Sequence, residues 1–238
     1  MITLFHAQSV ASGQSLRLSD EQARHVRVRR AAVGDALRLV DGRGHIATGR
    51  ISAIGKHSVD VDVGDMKEVA KPMPLEVLVP VADRDRMLLA AEKCVELQVT
   101  GWRPVFYARS RSVSPRGEGP RFREKVQARM QSALEQSGGA WMPVVHEDAE
   151  WLDALRSVPS DWDRILFDAS GEPFRGQNTS VPTSFAVGPE GGLESGEVAA
   201  ARDAAWRPAS LAGSILRFET AVIAAAAVIR ATQLLHRS

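Results

Sequence analysis

The sequence has one cysteine, Cys94, and one tyrosine in 238 residues, and aromatic residues make up only 5% of it. A lone cysteine excludes an internal disulfide and a cysteine-cluster metal site, and it suits a reducing compartment. Its expected role is a small core side chain rather than a nucleophile. The six histidines, at positions 6, 25, 45, 57, 146 and 236, show no His-x-x-x-His spacing, so no metal is expected. Long hydrophobic runs are also missing. The longest, Ala221 to Ile229, is bounded by Glu219 and Arg230 and falls well short of the roughly 20 residues that span a bilayer. The opening Met1-Ile2-Thr3-Leu4-Phe5-His6 has no basic segment followed by an apolar one, so no signal peptide is expected and the cytoplasm is the expected location.

Net charge is scarce too, at +1, but that balance conceals two segments of opposite sign. Arg103, Arg109, Arg111, Arg116, Arg121, Arg123, Lys125 and Arg129 face only Glu118 and Glu124 across 103–129. From Glu147 to Glu172, eight carboxylates stand against Arg156 and Arg164. Such a basic segment gives a polyanion a strong local field. A solvated helix face plus a surface loop explains the same pattern equally well.

The apolar and charged fractions, 44% and 25%, are those of an ordinary globular chain. Its length allows one large or two modest domains. Residues 1–70 read as strands (2–5, 36–40, 45–54 and 58–63) with a turn at Asp41-Gly42-Arg43-Gly44, the pattern of a small β-barrel. One helix interrupts them, with Ser19 as N-cap and Asp20 and Glu21 in the first turn. Residues 67–74 carry two prolines and little periodicity and read as a linker. From residue 75 onward, strand-like runs (75–80, 103–108, 144–145, 164–167, 184–187) alternate with helical ones (84–99, 120–137, near Trp151, 194–204 and from Glu219). This alternation predicts a largely parallel sheet covered by helices.

Two short loops in this second region draw attention. Phe185-Ala186-Val187 breaks into Gly188-Pro189-Glu190-Gly191-Gly192, and Ser210-Leu211-Ala212-Gly213-Ser214-Ile215-Leu216-Arg217-Phe218-Glu219-Thr220 leads into an alanine-rich helix. Glycine lets backbone amides and carbonyls approach a flat ring closely, and open α/β sheets bind ligands beyond the carboxyl ends of their strands. The first loop lacks the lysine and hydroxyl of a phosphate loop and the spacing of the dinucleotide fingerprint. A tight turn leading into a helix capped near Glu194 and Ser195 accounts for the same spacing. Arg217 and Glu219, two apart, read equally as a functional pair or as a local ion pair at the helix start.

These two blocks resemble the signature of the RsmE family, enzymes of the SPOUT superfamily that methylate a uridine at N3 in 16S ribosomal RNA with S-adenosylmethionine. Fainter echoes are Arg27-Val28-Arg29-Arg30 with Gly34-Asp35, which resembles part of the family's PUA-like RNA-binding domain, and Lys93-Cys94-Val95-Glu96-Leu97. Glu135-Gln136-Ser137-Gly138 is similar to the family's Glu-Gln-x-Gly-Arg, but Gly139 replaces the arginine. Ser214 and Phe218 likewise stand where the family has arginine and threonine.

The resemblance implies a PUA-like β-barrel domain over 1–70 and a SPOUT methyltransferase domain over 75–238, α/β with a C-terminal trefoil knot. It implies S-adenosylmethionine held by Phe167, Gly188, Pro189, Glu190, Gly191, Gly192, Leu211, Ile215, Leu216 and Thr220. It assigns catalysis to Arg217, which would orient the base or stabilise charge on its carbonyl oxygens, and to Glu219, which would position Arg217 or accept the N3 proton. RNA contact falls to Arg27, Arg30, Arg109, Arg111, Arg116, Arg121 and Arg123. The implied partners are 16S ribosomal RNA in the small subunit and a second copy of the chain, in a homodimer with sites at the interface. Two rivals share the motifs: a SPOUT methyltransferase with another RNA target, and a non-catalytic RNA-binding assembly factor on the same fold.

Overall fold

The structure, a computed structural model, describes residues 1–8, 11–112, 115–176 and 181–235, with the side chains of Arg111 and Ser112 outside the description. The chain divides into two compact units, Met1–Lys71 with Gln131–Met142, and Pro72–Met130 with Pro143–Ser238.

In the first unit the elements run β1 (Ile2–Phe5), β2 (Ser15–Arg17), α1 (Asp20–Val28), β3 (Ala36–Val40), β4 (His45–Ile54) and β5 (Val59–Glu68). They form a five-stranded sheet in the order β1-β3-β4-β5-β2, with β1 parallel to β3 and the other pairs antiparallel. Alternation places Val59, Val61 and Val63 inside with Leu37, Leu39, Ile51 and Leu4, the period-2 pattern of a sheet with one buried face. Ser19 caps α1 as expected: its hydroxyl accepts from Gln22 N, and the Gln22 side chain accepts from Ser19 N. Ala23 and Val26 turn inward on that helix.

The turn before β4 is built around Asp41, whose carboxylate accepts from Arg43 N at 2.7 Å, His45 N at 3.0 Å and His45 Nδ1 at 2.7 Å. Burial alone would raise the Asp41 pKa; these bonds outweigh it and hold it below the ordinary carboxylate range. Two features differ from the sequence expectation. β2 is only three residues long and two of them are exposed, too short for periodicity to register. β5 continues to Glu68, because its polar outer half still pairs with β4, as in Ile46 with Lys67.

The second unit contains β6 (Leu75–Pro80), α2 (Arg84–Glu96), β7 (Gly101–Phe106), most of α3 (Pro120–Ser137), β8 (Val144–Val145), β9 (Ala149–Glu150), α4 (Trp151–Ser157), β10 (Asp163–Pro173), β11 (Thr183–Val187), α5 (Ser195–Asp203), β12 (Arg207–Ser210) and α6 (Phe218–Leu235). The sheet order is β12-β10-β11-β6-β7-β8, with β9 also on β7, and every pairing is parallel. All six residues of β6 are buried, as befits a strand covered on both faces. β12 escaped the sequence reading because Arg207 and Pro208 interrupt its apolar pattern.

By length and composition α6 could cross a bilayer, yet half of it is buried. Its alanines let it pack against α2, β6 and β11 as a core helix. Arg230, buried on α6, donates to the carbonyls of Met73, Leu97 and Gln98 and to Gln233 Oε1. The cation thereby satisfies the carbonyls that α2 leaves open at its C-terminal end, where the helix dipole favours positive charge. Cys94 is fully buried on α2, and burial pushes its thiol pKa up, away from reactivity.

Candidate ligand site

The parallel register aligns the carboxyl ends of three neighbouring strands: Phe167 of β10 pairs with Val187 of β11 on one side and Ala209 of β12 on the other. The segments leaving these strand ends converge. Asp168 and Ala169, residues 187–193, and Leu211, Ala212, Ser214, Ile215 and Leu216 line a cavity of about 320 Å³, closed by Phe167 and by Phe218 and Ala221 of α6. That volume lies within the range of small-molecule sites.

Local chemistry fixes the loop over 188–192. Gly192 N donates to Pro189 O at 2.8 Å, and Gly192 takes φ +73°, where a side chain would be strained. Arg109 Nη1 donates to Gly191 O at 2.6 Å, and Arg109 Nε lies 3.7 Å from Glu194. Beyond the loop, Glu197 of α5 accepts from Glu194 N and from Ala108 N, both at 2.8 Å, which fixes the direction in which the chain leaves. The strands must also sit very close where β10 passes β12. A Cβ on Gly171 would lie 2.5 to 2.7 Å from the Ala209 backbone.

Every residue read from the sequence as cofactor-binding lines this cavity except Thr220, which is exposed one turn into α6. Asp168, Leu193, Ala212, Ser214, Phe218 and Ala221 join them without having been singled out for this role. Asp168 follows the run 164–167 as an ordinary charge, and only the strand register brings it to the cavity. Its carboxylate accepts from Ser170 N at 2.9 Å and Ser170 Oγ at 2.5 Å, which orients it. Ile215 is 91% exposed although it lines the cavity, leaving an apolar side chain open to a ligand.

Arg217 and Glu219 do not pair with each other. The Arg217 side chain is exposed and without a hydrogen-bond partner among the described residues, whereas Glu219 is 7% exposed. The cation facing Glu219 is Arg86, whose Nε lies 4.0 Å from Glu219 Oε1, and Arg86 Nη1 also donates to Glu190 Oε1. Glu219 Oε2 is buried and accepts nothing among the described residues. Arg86 was invisible to sequence spacing, lying 104 residues from Glu190.

The arginines assigned to RNA are scattered in role. Arg27 donates to Gly55 O and Ser58 O, tying α1 to the turn between β4 and β5, while Arg30 is exposed. Arg109 holds the glycine loop. Arg116 pairs with Glu118, and Arg123 with Glu147 at 3.1 Å. Arg121 is exposed, and the Arg111 side chain lies outside the described residues. With Arg103 on Glu76 and Arg129 on Glu92 as well, much of the positive segment is matched by carboxylates of its own unit. The surface field is correspondingly weaker than the sequence run implied.

Comparison with known proteins places this geometry in context. Residues 69–230 match the family model for an RNA methyltransferase domain, and residues 18–64 that for an RNA methyltransferase PUA domain. A crystal structure of ribosomal RNA small subunit methyltransferase E from Neisseria gonorrhoeae, bound to S-adenosyl methionine, is 28% identical and superposes with a TM-score of 0.87 over 99% of this chain and 98% of that one. A methyltransferase of Legionella pneumophila in complex with the cofactor SAM is 25% identical, with a TM-score of 0.86 over 97% of each chain. In sequence, ribosomal RNA small subunit methyltransferase E of Rickettsia conorii is 26% identical over 89% of this chain and 87% of its own length.

Proposed function

The chain belongs to the RsmE family of RNA methyltransferases, and from that premise we propose that it transfers the methyl group of S-adenosylmethionine to N3 of a uridine in the 16S ribosomal RNA of the small subunit. The observation that carries this reading is the cavity at the ends of β10, β11 and β12, floored by apolar side chains and edged by the carboxylates of Asp168 and Glu190. Those features fit the cofactor: backbone of 188–192 and 211–216 for the adenine, Leu211, Ile215, Leu216 and Phe218 against its faces, and a carboxylate for ribose hydroxyls. Two negative side chains also suit a positive sulfonium. S-adenosylmethionine supplies an electrophilic methyl group.

The protein's own part is to hold the uracil in line and remove the N3 proton, and positioning of this kind supplies much of a rate enhancement. Arg217, exposed between cavity residues 216 and 218, is placed to orient the base and to stabilise the negative charge that spreads onto its carbonyl oxygens. Glu219, with a buried oxygen free of partners among the described residues, is the group to accept the proton. The family's homodimer, its threaded C-terminal segment and RNA contact through Arg27 on α1 and Arg30 just beyond it belong to the same proposal.

Two variants test the assignment. Arg217→Ala and Glu219→Gln are each expected to slow methyl transfer by ~100-fold or more while binding S-adenosylmethionine nearly as the parent does. Full transfer by Arg217→Ala, with RNA binding unchanged, would refute its role.

A further inference from the structure

We propose that Arg86 is a positioning residue of this site: it ties the loop carrying Glu190 to Glu219 on α6 and so sets the Glu190 carboxylate at the cofactor cavity and the Glu219 carboxylate beside it. The inference rests on the methyltransferase reading above and adds to it a residue outside both loops. Arg86 stands in the first turn of α2, where Asp83 Oδ1 accepts from its backbone N at 3.1 Å. Its guanidinium reaches two carboxylates on different elements, donating to Glu190 Oε1 and lying 4.0 Å from Glu219 Oε1. A planar guanidinium can serve two acids at once in fixed directions, which an ammonium point charge cannot.

Two arguments make this bridge more than a surface ion pair. Glu219 is nine-tenths buried, and Arg86 is the one cation within ion-pair distance of it among the described residues. A buried carboxylate with one orphaned oxygen is costly to hold without such a neighbour. Charge placement points the same way: the Arg86 cation stands between the carboxylates of Glu190 and Glu219 and offsets their mutual repulsion. Without Arg86, the loop at 188–192 and the start of α6 would have no side chain joining them among the interactions described, and the two carboxylates would repel.

The test is calorimetric titration of S-adenosylmethionine, with steady-state methyl transfer, on the parent, Arg86→Gln, Arg86→Lys, Glu190→Gln and the Arg86→Gln/Glu190→Gln double variant. Arg86→Gln is expected to weaken cofactor binding by ~10-fold or more, to lower kcat and, by leaving the buried Glu219 carboxylate without its cation, to lower the melting temperature. Arg86→Lys is expected to restore part of both. Because the two groups act as a unit, the double variant should bind about as poorly as Arg86→Gln alone rather than by the product of the single losses. Cofactor binding by Arg86→Gln within twofold of the parent, or strictly multiplicative losses in the double variant, overturns the inference while leaving the parent's activity to stand. Should Arg86→Gln misfold, Arg86→Lys and Glu190→Gln carry the same comparison. A parent that binds no S-adenosylmethionine overturns the underlying reading and this inference with it.

Discussion

Replacing Arg230 by methionine tests the packing that ties α6 to the C-terminal end of α2. The side chain is buried and donates to three main-chain carbonyls and one side-chain amide oxygen, at 3.4, 3.0, 2.5 and 2.6 Å. Methionine fills a similar volume but donates nothing, so four acceptors lose their donor. An unsatisfied buried group costs about 1–3 kcal/mol. Relaxation and water entry reduce the sum, and loss of a cation from the end of α2 adds to it, so a net loss of about 3–5 kcal/mol is expected, as for breaking a buried charged network. At about 2–4 °C per kcal/mol for a chain of this size, the melting midpoint should fall by about 6–20 °C. Differential scanning calorimetry reads this directly. Arg230→Lys, which can reach one or two of the carbonyls, should lie between. A midpoint within 2 °C of the parent for Arg230→Met would refute the argument that this cation ties α6 to the end of α2.

Gly171→Ala places a methyl group 2.5 to 2.7 Å from the Ala209 backbone. The two strands must part, with a loss of about 1–3 kcal/mol and weaker S-adenosylmethionine binding by calorimetry, since β12 leads directly into 211–216. Gly196→Ala is the control. Its Cβ meets open space in α5, so the melting midpoint should hold or rise. A pH series tests His6 and His146. Burial lowers the pKa of both, for His146 with help from Arg103 and against Glu76, and for His6 against a bond to Gln22. The unfolded chain therefore takes up these protons first. Their contribution to stability is full above the unfolded pKa of about 6.5 and is lost as pH falls through the lower folded values. Thermal midpoints between pH 7 and 5 should drop more steeply for the parent than for His6→Gln/His146→Gln. Parallel curves would contradict it.

What the sequence made legible was local. The Ser19 cap, the Asp41 turn, the strand β6 and the alanine-rich α6 follow from spacing and side-chain chemistry within a few residues, and the structure has each of them. The glycine loop and 211–216 were recognisable because backbone exposed at strand ends has a distinctive composition, and they line one cavity. What escaped depends on register across the sheet. Asp168 becomes part of the site only because Phe167 stands beside Val187 and Ala209. Arg86 belongs to it only because α2 packs on α6. Charge runs also depend on what meets them across the fold. Arg103, Arg116, Arg123 and Arg129 read as a positive field in one dimension, yet Glu76, Glu118, Glu147 and Glu92 meet them in three. The pairing of Arg217 with Glu219 suggested by their spacing gives way to Arg86, since Arg217, just before α6, is exposed while Glu219 in its first turn is buried.

The measurement that bears most directly on the central claim is nucleoside mass spectrometry of RNA from small ribosomal subunits lacking the modification, after incubation with the protein and methyl-labelled S-adenosylmethionine. The account predicts labelled 3-methyluridine in the 16S RNA, lost with Arg217→Ala. A different methylated nucleoside would contradict the proposed target while keeping methyl transfer, and no labelled nucleoside at all would contradict the enzymatic reading.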